Sequence, residues 1–368
     1  MEIAILTSSR ADFGFYKPLL NLLNKSDGLN YKLVVFGTHL SIEHGFTIND
    51  IKASGYTNIS KVDAIPSGYQ PEDITKMIGN THIKFGEYWN NIKFDLIICI
   101  GDRYEMYAAV SSAIPFNIPI AHISGGEETL GAIDNIYRHS LTLMSKYHFT
   151  NTEKNAERVK EITGSSNNVF HTGSLAIDNI NQTKLYNTAE FKNNFKFDLD
   201  CKFILFTFHP ETTNYRKNEE YANVIYEVLT NLEYSVMITM PNADTMGDVI
   251  REMILKSANN NSNIYVYESL GSKGYYSALN KCMLVLGNSS SGIIEAASFS
   301  KYVLNIGGRQ KGRECGNNVL HCEINKSEIL RNIEQVKRLP KLNSKNIYGD
   351  GNSGQNIINK LLRIKAEL

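Results

Sequence analysis

The chain has 368 residues, with 38 lysines and arginines against 38 aspartates and glutamates, so its formal net charge is zero when histidine is neutral. This balance argues against a nucleic-acid partner or a membrane surface, and no apolar run approaches the roughly 18 residues that span a bilayer. The length favours two domains over one, and the hydrophobic content of 42% is ordinary for a globular protein.

The N-terminus and the cysteines both indicate a reduced, cytoplasmic protein. Residues 1–6 enter an apolar strand directly, without the basic region and long apolar stretch of a signal peptide. The five cysteines form no Cys-x-x-Cys pair, and three of them fall in or beside apolar runs, where core positions are expected.

Short apolar runs alternate with amphipathic stretches through the first half of the chain. We predict strands at residues 2–7, 32–36, 96–100, 117–123, 147–150 and 169–171. We predict helices after residue 14 and over residues 41–55, 72–89, 106–113, 133–146 and 153–161. Strand alternating with helix predicts a parallel α/β sheet, and the first strand–loop–helix unit lacks the Gly-x-Gly-x-x-Gly of a dinucleotide site.

A second α/β series follows an Asn- and Lys-rich segment at residues 181–200. We predict its strands at residues 203–208, 234–240, 263–267, 283–286 and 302–306. We predict its helices at residues 218–232, 246–257, 275–280 and 293–299, with a last amphipathic helix at residues 355–368. The fold class is therefore α/β, with two Rossmann-like, doubly wound domains in tandem, and we place the boundary between residues 172 and 173.

Polar clusters follow two strands of the first predicted domain, at the sheet edge where open parallel sheets bind ligands. Asp102, Glu127 and Asp134 are the candidate acid–base set, because crowded carboxylates acquire raised pKa values that suit proton removal from a weakly acidic C–H. A purely structural ion pair of Asp102 with Arg103 or Arg138 is the alternative.

The neighbours of these carboxylates are assigned lesser or different roles. Arg10 and Arg103 could neutralise diphosphate charge as it develops on a leaving group. We expect Glu128 to be a solvated neighbour and Glu105 to have at most a supporting role.

In the second predicted domain, Gly287–Gly292 places three serines between a strand and a helix. Backbone N–H groups and hydroxyls there suit a diphosphate, to be held by Ser289, Ser290 and Ser291, although serines also cap helices without binding anything. Glu295, one turn on, could accept two hydrogen bonds from a vicinal diol such as ribose. Nearby arginines favour the phosphate interpretation because a guanidinium matches phosphate oxygens; they are Arg309 and Arg313.

The histidines divide into strand-end and strand-interior positions. His209 ends a predicted strand, where we expect it to be exposed and able to contact a phosphate or act as an acid. His39 also ends a strand and stays a candidate, whereas His122 and His148 lie within strands and should be core residues. No spacing typical of a zinc site is present.

Taken together, these motifs resemble the UDP-N-acetylglucosamine 2-epimerase family, in particular its hydrolysing branch, over nearly the whole chain. The resemblance rests on residues 9–12, 101–103, 125–127, 134 with 138–139, 209–211, 287–292 with 295, and 308–313. It implies a GT-B glycosyltransferase-like fold with the active site in the interdomain cleft, and a C-terminal helix, residues 355–368, that returns to the first domain. It also implies substrate contacts from Arg10, His209, Asn242, Ser289, Ser290, Glu295 and Arg309.

The resemblance further implies a reaction without metal or other cofactor. The catalytic residues would be Asp102, Glu127 and Asp134, and a base would remove the proton on sugar carbon 2 while UDP leaves carbon 1. Water would then add to the resulting 2-acetamidoglucal, and the products from UDP-N-acetylglucosamine would be UDP and N-acetylmannosamine, for sialic acid synthesis.

Four other hypotheses about the function stay open. The same chemistry could act on UDP-2,4-diacetamido-2,4,6-trideoxyglucose, in the legionaminic acid route, or the enzyme could be a non-hydrolysing epimerase that keeps UDP attached. A GT-B glycosyltransferase and a sensor that binds nucleotide sugars without turnover are the remaining two. Relatives suggest a homodimer, with the helix at residues 72–89 as a contact face.

Overall fold

The structure is a computed structural model and describes residues 1–65, 68, 70–241, 247–343 and 345–367. The chain divides into two compact units. The first comprises Met1–Glu127, Asp134–Asn181 and Tyr348–Leu368, and the second comprises Glu128–Ile133 and Gln182–Ile347. Among the helices of the described residues, none combines the length and the apolar character needed to cross a membrane.

Within the described residues, the first unit is built on a seven-stranded parallel sheet. Its strands are β1 (Glu2–Thr7), β2 (Asn30–Val35), β3 (Ile59–Lys61), β4 (Leu96–Ile100), β5 (Ile120–Ile123), β6 (Tyr147–Thr150) and β7 (Val169–His171). Their order is β3-β2-β1-β4-β5-β6-β7, so the direction of winding reverses between β1 and β4. Ligands bind at such a switch point in open α/β sheets.

The helices of the first unit cover both faces of this sheet. They are α1 (Arg10–Leu23), α2 (Ile48–Ala53), α3 (Pro71–Asn91), α4 (Tyr104–Ser111), α5 (Asp134–Met144), α6 (Glu153–Thr163) and α7 (Leu175–Gln182). Alternate residues of β4 enter two different apolar clusters, Ile98 on one face and Ile97 on the other. Burial on both faces explains why these strands are continuous apolar runs.

The second unit repeats the plan with a six-stranded parallel sheet in its described residues, ordered β10-β9-β8-β11-β12-β13. Its strands are β8 (Phe203–Thr207), β9 (Ser235–Thr239), β10 (Ile264–Tyr267), β11 (Leu284–Gly287), β12 (Val303–Ile306) and β13 (Val319–Cys322). Its helices are α8 (Thr188–Phe195), α9 (Asn218–Thr230), α10 (Gly247–Asn260), α11 (Gly271–Lys281), α12 (Ser290–Glu295) and α13 (Lys326–Val336). The switch point lies between β8 and β11.

The last helix, α14 (Ser353–Glu367), belongs to the first unit. Its apolar stripe, which includes Ile357, Leu361 and Ile364, is buried in the same cluster as Leu19 and Leu20 of α1. Burying each such side chain contributes about 1.5–3 kcal/mol. The C-terminal helix therefore contributes to the apolar cluster of the first unit.

The division between the units differs from the predicted boundary in two places. The first unit continues past residue 172 to Asn181, because the Asp178 carboxylate accepts hydrogen bonds from the amides of Ser353 (3.0 Å) and Gly354 (2.7 Å) and ties α7 to the start of α14. The segment Glu128–Ile133, expected in the first domain, groups with the second unit, since the Leu130 amide donates to the Lys311 carbonyl at 2.8 Å.

The predicted helix at residues 41–55 is wrong in its first half. Residues Gly37–Leu40 form a 3-10 turn, and α2 begins only at Ile48. Between them Gly45 and Phe46 adopt positive φ angles of 85° and 47°, which an α-helix does not allow. The loop that results lies at the carboxyl end of β2.

Candidate active site

Three candidate carboxylates lie at the carboxyl edge of the first sheet. Asp102 follows β4, Glu127 follows the neighbouring strand β5, and Asp134 is the first residue of α5. Gly101 has φ of 83°, so the chain turns sharply as it leaves β4. The fold brings Asp102 and Glu127 to adjacent strand ends, as the sequence predicted.

Arg138 joins two of these strand ends from α5. Its side chain is only 1% exposed and forms an ion pair with Asp102, whose side chain is 28% exposed. The guanidinium also donates to the main-chain carbonyl of Glu127 at 3.0 Å and to Oδ1 of Asn135 at 3.3 Å. The ion pair that the sequence left open for Asp102 is thus confirmed for Arg138, and it leaves part of the carboxylate accessible.

Glu127 is held from two sides. Asn151, which follows β6, donates to Oε1 of the buried Glu127 carboxylate at 2.6 Å. The preceding Gly126 has φ of 79°, and a Cβ there would lie 2.2 Å from the carbonyl oxygen of Asn155. The chain must therefore carry glycine at this position, and the close approach fixes the direction in which Glu127 leaves the sheet.

His122 supports the turn that carries Asp102. It is fully buried in β5, as predicted, and its Nε2 lies 2.9 Å from the carbonyl oxygen of Gly101. Burial lowers the pKa of His122 to about 4, against a smaller upward effect of the Gly101 hydrogen bond. The ring is therefore neutral at pH 7 and donates from Nε2, a positioning role that an apolar strand pattern does not reveal.

The turn after β1 separates an exposed arginine from a buried carboxylate. Arg10 begins α1 and is exposed. Asp12 is buried and accepts hydrogen bonds from the amides of Ser8 (2.7 Å) and Ser9 (3.0 Å). Burial raises the pKa of Asp12. The hydrogen bond and the charge of His39, together with the hydrogen bond from the Ser8 amide, outweigh this effect, so the pKa is lowered overall. His39 is itself buried, which makes it a support of this turn.

Arg103 is fixed by a carboxylate that the sequence placed in a supporting role. The fully buried Glu105 accepts from Nε of Arg103 at 3.2 Å and from its Nη2 at 3.1 Å, in a two-point contact at the start of α4. Arg103 thus stands next to Asp102 in the chain with its guanidinium oriented by Glu105.

In the second unit, Asn288 links the loops that follow β8, β11 and β12. Its side chain accepts from the amide of His209 at 2.7 Å and donates to the His209 carbonyl at 2.8 Å. Nε2 of Gln310 donates to the Asn288 carbonyl at 2.8 Å, and Nε of Arg313 donates to Oε1 of Gln310 at 2.8 Å. The expectation of an exposed His209 is wrong: the residue is only 6% exposed, and both of its main-chain polar groups are bound to Asn288.

Glu211 performs a similar linking role one residue after Pro210. Its buried carboxylate accepts from the amide of Gly308 at 2.6 Å, which fastens the loop after β8 to the loop that carries Arg309. Gly131 lies against the same loop, because a Cβ there would be 2.4 Å from the Gly308 carbonyl oxygen. Glu211 belongs to the motif at residues 209–211, for which no such linking role was predicted.

The serine cluster sits on a turn that only glycine can form. Gly287 ends β11 with φ of 134°, and a Cβ there would lie 1.9 Å from the carbonyl oxygen of Thr207. Ser289 is the N-cap residue of α12, yet in the described residues its hydroxyl bonds that of Ser291 at 3.1 Å instead of a helix amide. Tyr275 in turn contacts the Ser291 hydroxyl at 2.6 Å. The helix-cap interpretation therefore holds for the backbone of Ser289 but not for its hydroxyl.

Glu295 lies at the end of α12 and is buried. Burial raises its pKa to about 8, although the hydroxyl of Tyr276, which donates to Oε1 at 3.1 Å, lowers it somewhat. At neutral pH this carboxyl is therefore mostly protonated in the folded chain, with one O–H donor and one free acceptor direction.

Asn242 lies outside the described residues. Among the residues that the structure does describe, no group of three or more His, Cys, Asp and Glu side chains is placed to hold a metal ion.

Comparison with known proteins agrees with this arrangement. The family profile described as UDP-N-acetylglucosamine 2-epimerase matches residues 21–362. A UDP-N,N'-diacetylbacillosamine 2-epimerase (hydrolyzing) of Legionella pneumophila is 33% identical, covering 96% of this chain and 93% of that protein. Polysialic acid biosynthesis protein P7 of Escherichia coli is 31% identical, covering 90% of this chain and 85% of that protein.

Solved structures extend the comparison to the fold. The crystal structure of UDP-GlcNAc 2-epimerase from Neisseria meningitidis bound to UDP-GlcNAc superposes with a TM-score of 0.82 at 18% identity, covering 99% of this chain and 100% of that one. The predicted fold class, two Rossmann-like doubly wound domains of the GT-B type, is confirmed. On the profile match and on the identity to these relatives, the chain belongs to the UDP-N-acetylglucosamine 2-epimerase family.

Proposed function

We propose that this chain is a hydrolysing 2-epimerase of a UDP-linked 2-acetamido sugar. The observation that carries the proposal is the pair of carboxylates at adjacent strand ends, Asp102 and Glu127, joined through the buried Arg138. Family membership and the word hydrolyzing in the name of the Legionella relative support the same reaction.

The proposed reaction has two stages. A carboxylate takes the proton from sugar carbon 2 while the bond from carbon 1 to the diphosphate oxygen breaks, which leaves a carbon 1–carbon 2 double bond and free UDP. Water then adds its oxygen to carbon 1, and an acid returns a proton to carbon 2 from the opposite face. We assign the proton transfers to Asp102, Glu127 and Asp134.

We assign the nucleotide to the other predicted residues. Arg10 and Arg103 would stabilise charge on the departing diphosphate in the first unit. In the second unit, backbone amides and hydroxyls at residues 289–291 would bind phosphate, with Arg309, Arg313 and His209. Asn242 keeps its predicted contact with UDP. Because Glu295 is protonated in the folded chain, it would give one hydrogen bond to a ribose diol and accept another.

Two sugars are candidates for the substrate. We rank UDP-N,N'-diacetylbacillosamine, the trideoxy sugar named above as an alternative, first, because the 33% identical Legionella relative carries its name. UDP-N-acetylglucosamine, which would give N-acetylmannosamine for sialic acid synthesis, is second, supported by the 31% identity to a polysialic acid biosynthesis protein. The two differ at sugar carbons 4 and 6.

Product analysis tests the reaction and the substrate together. The purified chain is incubated with each nucleotide sugar in deuterium oxide, and proton NMR follows UDP and the sugar. We expect free reducing sugar with inverted carbon 2 that carries deuterium there. A product still joined to UDP would indicate the non-hydrolysing reaction. Turnover that requires an acceptor would indicate a glycosyltransferase. Binding of both sugars without turnover would indicate a sensor.

We also propose that the chain forms a homodimer through the face of α3 and α5. Ile136 and Leu143 on α5 are 66% and 63% exposed, and Ile83 on α3 is 64% exposed. Both helices pack against α4, and exposed apolar side chains on such a helical face are typical of an interface. Light scattering after Leu143→Lys should report a monomer, whereas Leu255→Lys, on an exposed leucine of α10, should leave a dimer intact.

A further inference from the structure

Arg138 is an almost completely buried cation at the carboxyl edge of the first sheet, with only 1% of its surface exposed. One guanidinium reaches three acceptors on three segments: the Asp102 carboxylate after β4, the Glu127 carbonyl after β5, and Asn135 in the first turn of α5. Removing an arginine from water is costly unless its donors are bound, so this burial is stable only with the acceptors in place. The geometry of the two strand ends therefore depends on this side chain.

The two carboxylates have different partners. Asp102 faces a full positive charge, which favours its ionised form. The Glu127 carboxylate accepts from a neutral amide, that of Asn151, while Arg138 binds the Glu127 main chain. The same edge carries further charged or titratable groups: His122 on β5, Asp134 on α5, and Arg103 with Glu105 at the start of α4. His122 is neutral at pH 7, whereas Arg138 makes a direct cationic contact with Asp102 from α5.

We infer that Arg138 is a positioning residue, which keeps the Asp102 carboxylate ionised and in register with Glu127 so that Asp102 is the base for the proton on carbon 2. This inference rests on the proposed function for the identity of that proton. Arg138 does not itself exchange a proton, because a guanidinium stays charged in proteins. Its effect is expressed through the pKa and the position of Asp102.

The test compares Arg138→Met and Arg138→Lys with the same two changes at Arg251, which is paired with Glu268 at the surface of the second unit. Carbon-13 NMR of labelled aspartate, assigned with Asp102→Asn, measures the pKa of Asp102 directly in each protein. The pH profile of kcat/KM for UDP release, the KM and the affinity for UDP are measured alongside.

We expect Arg138→Met to raise the pKa of Asp102 by about one unit or more and to move the acid limb of the profile upward by the same amount. The kcat should fall about 100-fold because the Asp102 carboxylate is misplaced, whereas KM and the affinity for UDP should change less than about threefold. Arg138→Lys keeps the positive charge but can bind fewer of the three acceptors. The acid limb of its pH profile should therefore stay in place while kcat falls about tenfold. Both Arg251 variants should match the parent chain.

An unchanged Asp102 pKa in folded Arg138→Met would overturn the inference. If that variant does not fold, Arg138→Lys decides: parental kcat refutes the positioning role, and a lowered kcat at constant KM supports it. Failure of the parent chain to release UDP from either sugar would overturn the proposed function instead, and the NMR titration would still report whether Arg138 holds Asp102 ionised.

Discussion

Replacing Glu295 with glutamine removes a carboxyl group whose pKa is raised by burial in the second unit. The pKa of Glu295 is about 8 in the folded chain and 4.5 for an ordinary glutamate. A folded pKa above the unfolded one means that the folded chain binds the extra proton. The stability from this group is therefore fully present below about pH 4.5 and is lost progressively as the pH rises to about 8.

The size of the effect follows from the difference between the two pKa values, 8 minus 4.5, or about 3.5 units. At about 1.4 kcal/mol per unit, ionising Glu295 costs the folded chain up to about 5 kcal/mol. Glutamine has a similar shape and no proton to lose, so Glu295→Gln should become more stable relative to the parent chain as the pH rises.

Thermal melting of both proteins between pH 5 and 8.5 checks this. The gap in melting temperature should widen by on the order of 10 °C toward the alkaline end. Glu233→Gln, at an exposed glutamate of the same unit, controls for the chemical change itself. Melting curves of Glu295→Gln and parent that run parallel across the pH range would refute the argument that burial raises this pKa.

The protonation of Glu295 also has a consequence for nucleotide binding. A neutral carboxyl and an amide each offer one donor and one acceptor to a diol, so Glu295→Gln should bind UDP within about threefold of the parent at pH 7. Glu295→Ala should lose about tenfold. Calorimetric titration with UDP measures both, and equal losses in the two variants would mean that Glu295 contacts the nucleotide as a carboxylate.

Four more predictions concern catalysis and folding. Asp102→Asn and Glu127→Gln should each abolish turnover while UDP affinity, measured by calorimetry, stays near the parental value; activity retained in both would refute the site. Asn151→Leu should lower kcat about tenfold or more by freeing the Glu127 carboxylate, with KM little changed in steady-state assays. Gly287→Ala should prevent proper folding of the second unit, seen as loss of cooperative melting, because its Cβ would meet a carbonyl oxygen. Leu361→Ala should destabilise the first unit by about 2–5 kcal/mol in denaturant titration.

The sequence was most informative where strands are buried on both faces. β4 and β5 are continuous apolar runs that end in glycine and charge. The strand predicted at residues 96–100 therefore matches β4, and the one predicted at residues 117–123 contains β5, which begins at Ile120. The edge strands β3 and β13 were missed because they are short and partly exposed, which removes the apolar run that identifies a strand.

Other features depend on contacts between residues far apart in the chain. The main chain of His209 is bound by Asn288, and the extension of the first unit to Asn181 follows from the amides that Asp178 binds in α14. The loop before α2 depends on the positive φ of Phe46, which a helical pattern of apolar residues does not signal. Local patterns in the sequence do not reveal these long-range hydrogen bonds or this backbone angle.

The packing of α14 on α1 has a consequence for how the chain is made. Leu20 and Leu361 share one apolar cluster although they lie near opposite ends of the chain. At a synthesis rate of about 5–20 residues per second, the ribosome needs roughly 20–70 s between the two. During that time the part of the apolar cluster that α14 covers is exposed on the nascent chain, so the first unit can complete its core only after residues 353–367 have been synthesised.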